Sequence, residues 1–595
     1  MGGRGGVGAG VNGGDGTFSV WAPERERVWV VVGGAGGEQA THPMTRGGSG
    51  WWHAAVEGAG PGTDYAFLLD DDPTPLPDPR SRWQPDGVHA ASRVDDPDAF
   101  DWSDHGWTGR SLAGAVLYEC HLGTFTSGGT FDSAIERLDH LVDLGVDLVE
   151  LLPVNAFDGT RGWGYDGVLW YATTENYGGP EAFRRFVVAC HHRGLGVVLD
   201  VVHNHLGPSG AHLDRFGPYF RGENVWGPSL NLDGPGSDTV RRYIIENALM
   251  WLRDFHVDAL RLDAVHALVD LRATHLLEEM GQEVAALSAT LRRPLHLVAE
   301  SDLNDPRLIT AREAGGYGLD AQWCDDVHHA LHASLTGETQ GYYVDFGRLT
   351  TLAEVLRHPF HHAGTWSTFR DRTHGRPVDL ERTPGHRFVV SLQNHDQVGN
   401  RAAGDRLSAT LPPGLLACGA AMVFCSPYTP MVFMGEEWGA STPWPFFVGF
   451  SDPELQEAVR SGRRQEFAEH GWGADEVPDP TAEATFASAQ LDWSEPGAEP
   501  HTWLLGVYRD LIALRRAEPE LTDPRLDRVH ADDDPAARTL ILHRGTLRLV
   551  VNLSEATPTL TVRGAAETVY APSGATLADG TVTLPPHSFA VVRVE

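Results

Sequence analysis

The sequence predicts an α/β protein built on a closed (β/α)8 TIM barrel, with an N-terminal β-sandwich of immunoglobulin-like form and a C-terminal β-sandwich. Three observations predict it. At roughly 100–200 residues per domain, 595 residues exceed one core. Through the middle of the chain, short apolar strands alternate with amphipathic helical patterns. At both ends, β-favouring runs are punctuated by turn residues.

Residues 1–15 are glycine-rich without the apolar segment of a secretion signal, and are expected to be a disordered lead-in. The runs Thr17–Trp21, Val28–Val32, Trp51–Val56 and Tyr65–Leu69 then predict a small sandwich. The proline- and aspartate-rich stretch Asp71–Asp98 loses the alternation and reads as a strap over a neighbouring domain, closing a first domain over 16–109. The barrel is assigned to 110–525. Its expected strands are Ala115–Glu119, Asp147–Pro153, Gly196–Val202, Asp258–Asp263, Leu295–Glu300, Leu319–Trp323, Phe388–Gln393 and Thr429–Met434. Between them lie helical patterns such as Phe131–Leu144, where Ile135, Leu138, Leu141 and Val142 share a face, and Asp238–Phe255, where Ile244, Ile245, Leu249 and Leu252 do. Two long loops, Leu206–Gly236 after strand three and Gly435–Pro500 after strand eight, fit functional insertions. His501–Arg516 reads as the last barrel helix. Strands Thr539–His543, Arg548–Asn552, Thr559–Val562 and Ala590–Val594 then give a terminal sandwich over 526–595.

Composition removes whole classes of function. With 46 basic and 81 acidic side chains the formal charge is −35, which disfavours nucleic acid, anionic membranes and polyphosphates and suits an uncharged ligand. Every basic residue of this count is arginine, so Schiff-base, pyridoxal and Walker-lysine chemistry is excluded. Cys120, Cys190, Cys324, Cys418 and Cys425 are odd in number and scattered, which suggests buried free thiols. The longest apolar stretch, near Leu415–Cys425, is too short to span a membrane, and a cytoplasmic location is expected.

Catalytic groups of such a barrel come from the carboxyl ends of its strands, whose loops form one open face. Asp200-Val-Val-His-Asn-His205 ends strand three, Arg261-Leu-Asp263-Ala-Val-His266 strand four, Glu300 strand five and Gln393-Asn-His-Asp396 strand seven. Arg261 and Asp263 are two residues apart, the strand period that points both side chains into the barrel, so the guanidinium keeps the aspartate ionised. Glu300 ends the apolar run Leu295–Ala299, where desolvation and neighbouring carboxylates raise its pKa. An ionised and a protonated carboxyl roughly 5–5.5 Å apart are what retaining glycoside hydrolysis requires. Asp396, beside His395, is placed to bind sugar hydroxyls. Any one of these acids alone is more often part of a salt bridge. Their joint order on four strand ends carries the reading. His203 and His205 have the spacing of a weak metal pair, which would suit a metal-dependent amidohydrolase, but such sites often use a carbamylated lysine. A catalytically dead glucan-binding protein is the other class open to this fold.

These four strand-end motifs resemble those of the α-amylase superfamily of retaining α-glucan enzymes, and the resemblance covers nearly the whole chain. It implies Asp263 as nucleophile, Glu300 as acid/base and Asp396 as transition-state stabiliser. It further implies substrate contacts at Tyr165, His205, Arg261, His266, Asp325, Asp326, His329, His395, Gln397 and Asn400, with no metal and no organic cofactor. Trp163, Trp226, Trp323 and Trp438 are expected to offer faces to sugar rings. The run Asp263-Ala-Val-His266 lacks the Lys-His of many amylases. Instead the segments Phe18–Pro23, Asp78–Gly87, Ala299–Asn304, Gln322–His332 and Glu457–Phe467 resemble a subgroup that cleaves trehalose from malto-oligosyltrehalose. A glucan branching or debranching enzyme is the sibling reading.

Overall fold

Eight parallel strands close into a barrel: Leu117–Cys120, Leu148–Leu151, Gly196–Val201, Ala259–Leu262, His296–Ala299, Ala321–Trp323, Phe388–Ser391 and Thr429–Phe433, each paired with the next and the last with the first. The computed structural model describes residues 16–33, 39–469 and 477–595; the expected lead-in, 1–15, lies outside the described residues. All eight predicted strands form, with ends shifted by at most two residues. At Asp147, Asp258 and Asp320, each expected inside a strand, the carboxylate instead accepts a backbone N–H in or next to a neighbouring strand. Asp258, expected to open strand four, instead accepts bonds from Val197 N at 2.9 Å, Trp107 Nε1 at 2.7 Å and Arg293 Nη1 at 2.8 Å beneath the barrel.

The period of two sorts the barrel interior into levels. Leu117, Leu148, Val198, Ala259, Val298, Ala321, Val389 and Met431 fill the lower barrel. Two residues further along the first five of these strands stand Glu119, Glu150, Asp200, Arg261 and Glu300. The interior therefore changes from hydrocarbon to charge towards the carboxyl ends, and that change builds the site.

The predicted helix over 131–144 is two pieces, Phe131–Ile135 and Leu138–Leu144. Three-residue bonds from Arg137 N to Ala134 O (2.9 Å) and from His140 N to Arg137 O (3.1 Å) tighten the chain between them. Val142, expected on the buried face, is exposed. The helix Ser237–Asp254 buries Ile244, Ile245, Leu249 and Leu252 as expected. The loop after strand three carries a hairpin, Phe220–Asn224 with Gly227–Leu230, and that after strand eight carries helices Pro453–Glu469 and Glu483–Ser488. A third insertion went unread: after strand six and the helix Asp325–Thr336, the chain runs through a hairpin, Thr365–Ser367 with Arg372–His374, before strand seven.

The N-terminal sandwich pairs a three-stranded sheet (Thr17–Trp21, Trp51–Ala55, Thr45–Arg46) with a four-stranded one (Ala40–Pro43, Val28–Gly33, Asp64–Leu69, Ser92–Arg93) around Phe18, Val20, Val30, Trp52 and Phe67. The strap contributes the two-residue strand Ser92–Arg93, which its composition had hidden. Elsewhere it lies on the helix Ser237–Asp254. Arg80 enters between Trp51, Tyr171 and Tyr243, 5.3–5.6 Å from their ring centres, and pairs with Glu246 at 2.5 Å. Arg82 pairs with Asp254 at 2.8 Å, and Tyr243 Oη donates to Pro79 O at 2.9 Å.

At the other end, a five-stranded and a three-stranded sheet enclose Val550, Val562, Val582, Leu584, Ala590 and Val592. The strands His530–Asp534, Ala565–Tyr570, Thr576–Ala578 and Thr581–Thr583 escaped the sequence reading. The helix Pro413–Cys425 is buried all round from Leu415 to Cys425 because it packs between the barrel and this terminal sheet. No helix among the described residues is long and apolar enough to cross a membrane. All five cysteines are buried and free.

Arg80→Met keeps the aromatic contacts but leaves Glu246 without its buried partner. Glu246 keeps Arg242 at 2.9 Å and is partly exposed, so the expected loss is about 1 kcal/mol, read as a lower Tm, while an unchanged Tm would show that the strap is not held by this pair.

Candidate active site

One guanidinium organises the rim. Arg261 is completely buried, and its Nη1 donates to both oxygens of Asp200 (3.0 and 2.9 Å) and to Asp263 Oδ1 (2.7 Å), while Nη2 lies 3.8 Å from Glu300 Oε2. The Trp323 ring stacks beneath it, 4.4 Å from the guanidinium carbon. Asp263 is thus held by strand-four register from one side. From the other, Asn204 Nδ2 donates to Asp263 Oδ2 at 2.6 Å and to the Asp263 carbonyl at 3.1 Å. Both carboxylate oxygens of Asp263 accept, and Asn204, quoted within the strand-three motif but given no role there, is a site residue the sequence reading missed.

Glu300 occupies a different environment. Its Oε2 accepts from Ala264 N at 2.5 Å, where the chain turns through the left-handed region (φ 39°) directly after Asp263. Burial pushes its carboxyl up to about 8; Arg261 opposes the rise, and Asp263, Asp396 and Asp325 add to it. Asp263 and Glu300 therefore share one guanidinium and one backbone turn, yet they are held differently: the first by side-chain donors on both oxygens, the second by a single backbone amide.

Tyr165 Oη donates to Asp200 Oδ2 at 2.6 Å and lies 2.8 Å from His395 Nε2, with the two rings stacked at 5.2 Å. His395 in turn bonds Glu119 Oε1 through Nδ1 at 2.5 Å, and its Nε2 is 3.5 Å from Asp396 Oδ1. Asp396 itself is partly open to solvent, and Asn400 Nδ2 donates to it at 3.3 Å. The structure so brings Asp263, Glu300, Asp396, Arg261, Tyr165, His395 and Asn400 into one connected network.

The remaining expected contacts divide. His205 Nε2 meets Tyr165 O at 3.0 Å, and its ring stacks under Trp226 at 6.0 Å. His266 lies 5.9 Å from the same indole and 3.9 Å from Asp302. Asp325 is pushed up to about 7 by burial and by Asp396 and Asp326, which places it among the rim acids. Asp326 faces other partners: its Oδ2 accepts from Asn304 Nδ2, His361 N and His362 N at 2.8–3.0 Å and so ties down the third insertion. His329 is buried against Tyr342, Tyr343 and Phe346, and burial first, then Arg370, lowers it to about 3. Gln397 donates its backbone N to the Asn394 side chain at 2.9 Å in the turn that carries Asp396.

Among the four expected tryptophans only Trp226 is open, at 45 % exposure; Trp163, Trp323 and Trp438 are 6, 4 and 0 % exposed and pack into the protein. Trp163 stacks on Trp444 at 4.5 Å, and Trp438 donates to Glu495 at 3.0 Å. The open aromatics unread from sequence are Trp366 and Phe369, on the insertion after strand six. Nothing in their spacing marks them, because they belong to a hairpin that only the barrel's shape brings to the rim. His203 and His205 are engaged by Asn247 and Tyr165, and no cluster suited to a metal ion occurs among the described residues.

A closed barrel with paired acids at its carboxyl rim and a sandwich at each end defines a glycoside hydrolase of the α-amylase class. The α-amylase catalytic domain family matches residues 95–217, carbohydrate-binding module 48 (the isoamylase N-terminal domain) matches 7–77, and a domain of unknown function, DUF3459, matches 524–591. The malto-oligosyltrehalose trehalohydrolase of Arthrobacter ramosus is 58 % identical over 90 % of this chain and 92 % of its own, and that of Mycobacterium tuberculosis 54 % over 97 % and 99 %. A Salmonella typhimurium protein solved as a candidate alpha amylase superposes with a TM-score of 0.88 at 38 % identity, covering 97 % of each chain. The chain belongs to the malto-oligosyltrehalose trehalohydrolase family.

The raised Glu300 carboxyl has a stability consequence. Its folded value of about 8 lies above the ordinary glutamate value of about 4.3, so between these limits the folded state holds a proton that the unfolded chain releases. Its contribution is full below about pH 4.3 and is lost as pH rises through about 8. Glu300→Gln is therefore expected to gain Tm relative to the parent as pH is raised from 5 to 8, and a difference constant across that range would contradict the burial argument.

Proposed function

We propose that the protein hydrolyses the α-1,4 bond next to the terminal trehalose of malto-oligosyltrehalose, with retention at the anomeric carbon. The observation that carries the reading is the shared Arg261: it bonds Asp263 at 2.7 Å and stands 3.8 Å from Glu300, so an ionised acid and a protonated one flank the same space. Glu300 gives its proton to the glycosidic oxygen while an Asp263 oxygen attacks the anomeric carbon of the adjoining glucose. Trehalose leaves with that proton, and the maltodextrin remains as a β-linked ester on Asp263. Glu300, now a carboxylate, takes a proton from water; the hydroxide displaces Asp263 and regenerates an α-hemiacetal. Asp396 is assigned to the sugar hydroxyls as positive charge grows on the ring.

A neutral glucan fits recognition by hydrogen-bonding side chains on a protein of charge −35. Tyr165, His205, Arg261, His266, Asp325, His395, Gln397 and Asn400 are assigned to the substrate-binding rim, with Trp226 as its open platform. Asp326 and His329 are assigned to bracing the third insertion instead, because Asp326 Oδ2 accepts the His361 and His362 backbone N–H groups and the His329 ring packs on Tyr342, Tyr343 and Phe346. Five free thiols suit a reducing cytoplasm.

With maltotriosyltrehalose as substrate, Asp263→Asn is expected to lose kcat by about 10³-fold or more, with trehalose the disaccharide released by the parent. Near-parental turnover in this variant would remove the nucleophile assignment. New α-1,6 linkages made from amylose would assign the branching activity instead.

A further inference from the structure

Glu119 ends barrel strand one, opposite the strand-four and strand-five acids, and makes contacts no other rim acid makes. Its Oε1 bonds His395 Nδ1 at 2.5 Å, and its Oε2 accepts the backbone N–H of the same residue at 3.0 Å. Glu119 and His395 are both only 1 % exposed. Oε2 accepts a backbone proton, while Oε1 and Nδ1 share one proton, which the imidazole, the stronger base of the two, holds.

The other ring nitrogen can be settled by counting donors. His395 Nε2 faces two oxygens, Tyr165 Oη at 2.8 Å and Asp396 Oδ1 at 3.5 Å. Tyr165 has one proton, committed to Asp200 Oδ2 at 2.6 Å, and Asp200 is clamped at both oxygens by Arg261, so that proton stays on the phenol. Nε2 therefore faces two acceptors and must donate to them. With a proton on each nitrogen, the ring is an imidazolium. Trp163, Tyr165, Trp323 and Trp444 enclose it at 5.2–6.3 Å, which leaves it little freedom to turn.

We propose that Glu119 is a positioning residue of the catalytic centre, holding His395 by ring and backbone as a standing cation directed at Asp396. This rests on the reading of Asp263, Glu300 and Asp396 as the catalytic acids. The groups facing His395 are Glu119 on strand one, Glu150 on strand two, Tyr165 on the following loop, Asp200 on strand three, Arg261 on strand four, Asp396 beside it and His121 after strand one. Burial alone would lower the imidazole, but Asp396 and Glu119 outweigh it and hold it at about 9, against the opposing Arg261. Glu150, next to Glu119 in strand register, is pushed well up by burial first and then by Glu119 and Asp200. Glu119, not Glu150, is the member of the pair that bonds the ring. The consequence for the reaction is that Asp396 keeps a fixed orientation, and Tyr165 keeps its proton pointed away from the sugar.

Glu119→Gln preserves an acceptor for Nδ1 but removes the charge. His395 then returns towards the ordinary histidine value of about 6.5, and kcat for trehalose release is expected to fall about ten-fold between pH 6 and pH 7.5. The parent stays nearly flat over that interval, and KM moves far less than kcat in the variant. An unchanged alkaline limb in folded Glu119→Gln would overturn the proposal. A second measurement needs neither turnover nor Glu119→Gln: the ¹⁵N imidazole signals of His395 in the parent, identified by difference from folded His395→Gln. Both nitrogens protonated at pH 7.5 is the result expected, and a neutral-ring pattern would overturn the clamp even if Asp263→Asn had established the catalytic acids.

Discussion

A guanidinium buried at the centre of the barrel is the constraint from which the rest of the site follows. An arginine placed in that environment must be neutralised, because an unpaired buried charge costs several kcal/mol. Arg261 is neutralised by Asp200 and Asp263 together, and this fixes the orientation of both. Asp200 then orders the Tyr165 hydroxyl, Tyr165 orders His395, and His395 faces Asp396. Glu300 is left just outside direct bonding range, at 3.8 Å, where the same cation is too distant to offset desolvation. Two acids on adjacent strands acquire different environments from one residue's position.

The surrounding fold supplies rigidity for this arrangement. Apolar side chains fill the barrel below the charged level. The strap of the N-terminal sandwich is riveted by Arg80 to the helix Ser237–Asp254, whose Asn247 holds His203 at the end of strand three. The terminal sandwich grips the helix Pro413–Cys425, whose chain leads directly into strand eight. Both flanking sheets therefore bear on helices that lead into barrel strands.

Strand order, the two sandwiches and the central acids were legible because they obey simple periodicities. Apolar runs bounded by polar residues fixed the eight strands to within two positions. Alternation placed Arg261 and Asp263 on one face, and the apolar run before Glu300 anticipated its raised pKa. What escaped lacks a local signature. Glu119 looks like any strand-end acid until the barrel closes and brings it to His395, 276 positions away. The hairpin bearing Trp366 and Phe369 is short, and its exposure is a property of the assembled rim. Trp163, Trp323 and Trp438 were expected to meet sugar; they are core, packed against Trp444, Arg261 and Trp493 respectively, a packing outcome invisible to spacing. Asp326 likewise follows Asp325 by one residue on a helix, and the resulting 100° turn sends it to the His361–His362 backbone.

The central claim is that Glu300 carries a proton at neutral pH while sharing Arg261 with an ionised Asp263. Difference infrared spectroscopy of the parent against Glu300→Gln tests it most directly, through the carbonyl stretch of a protonated carboxylic acid. The account predicts that band at pH 7, disappearing with a midpoint near pH 8. A Glu300 signal already that of a carboxylate at pH 6 would contradict it.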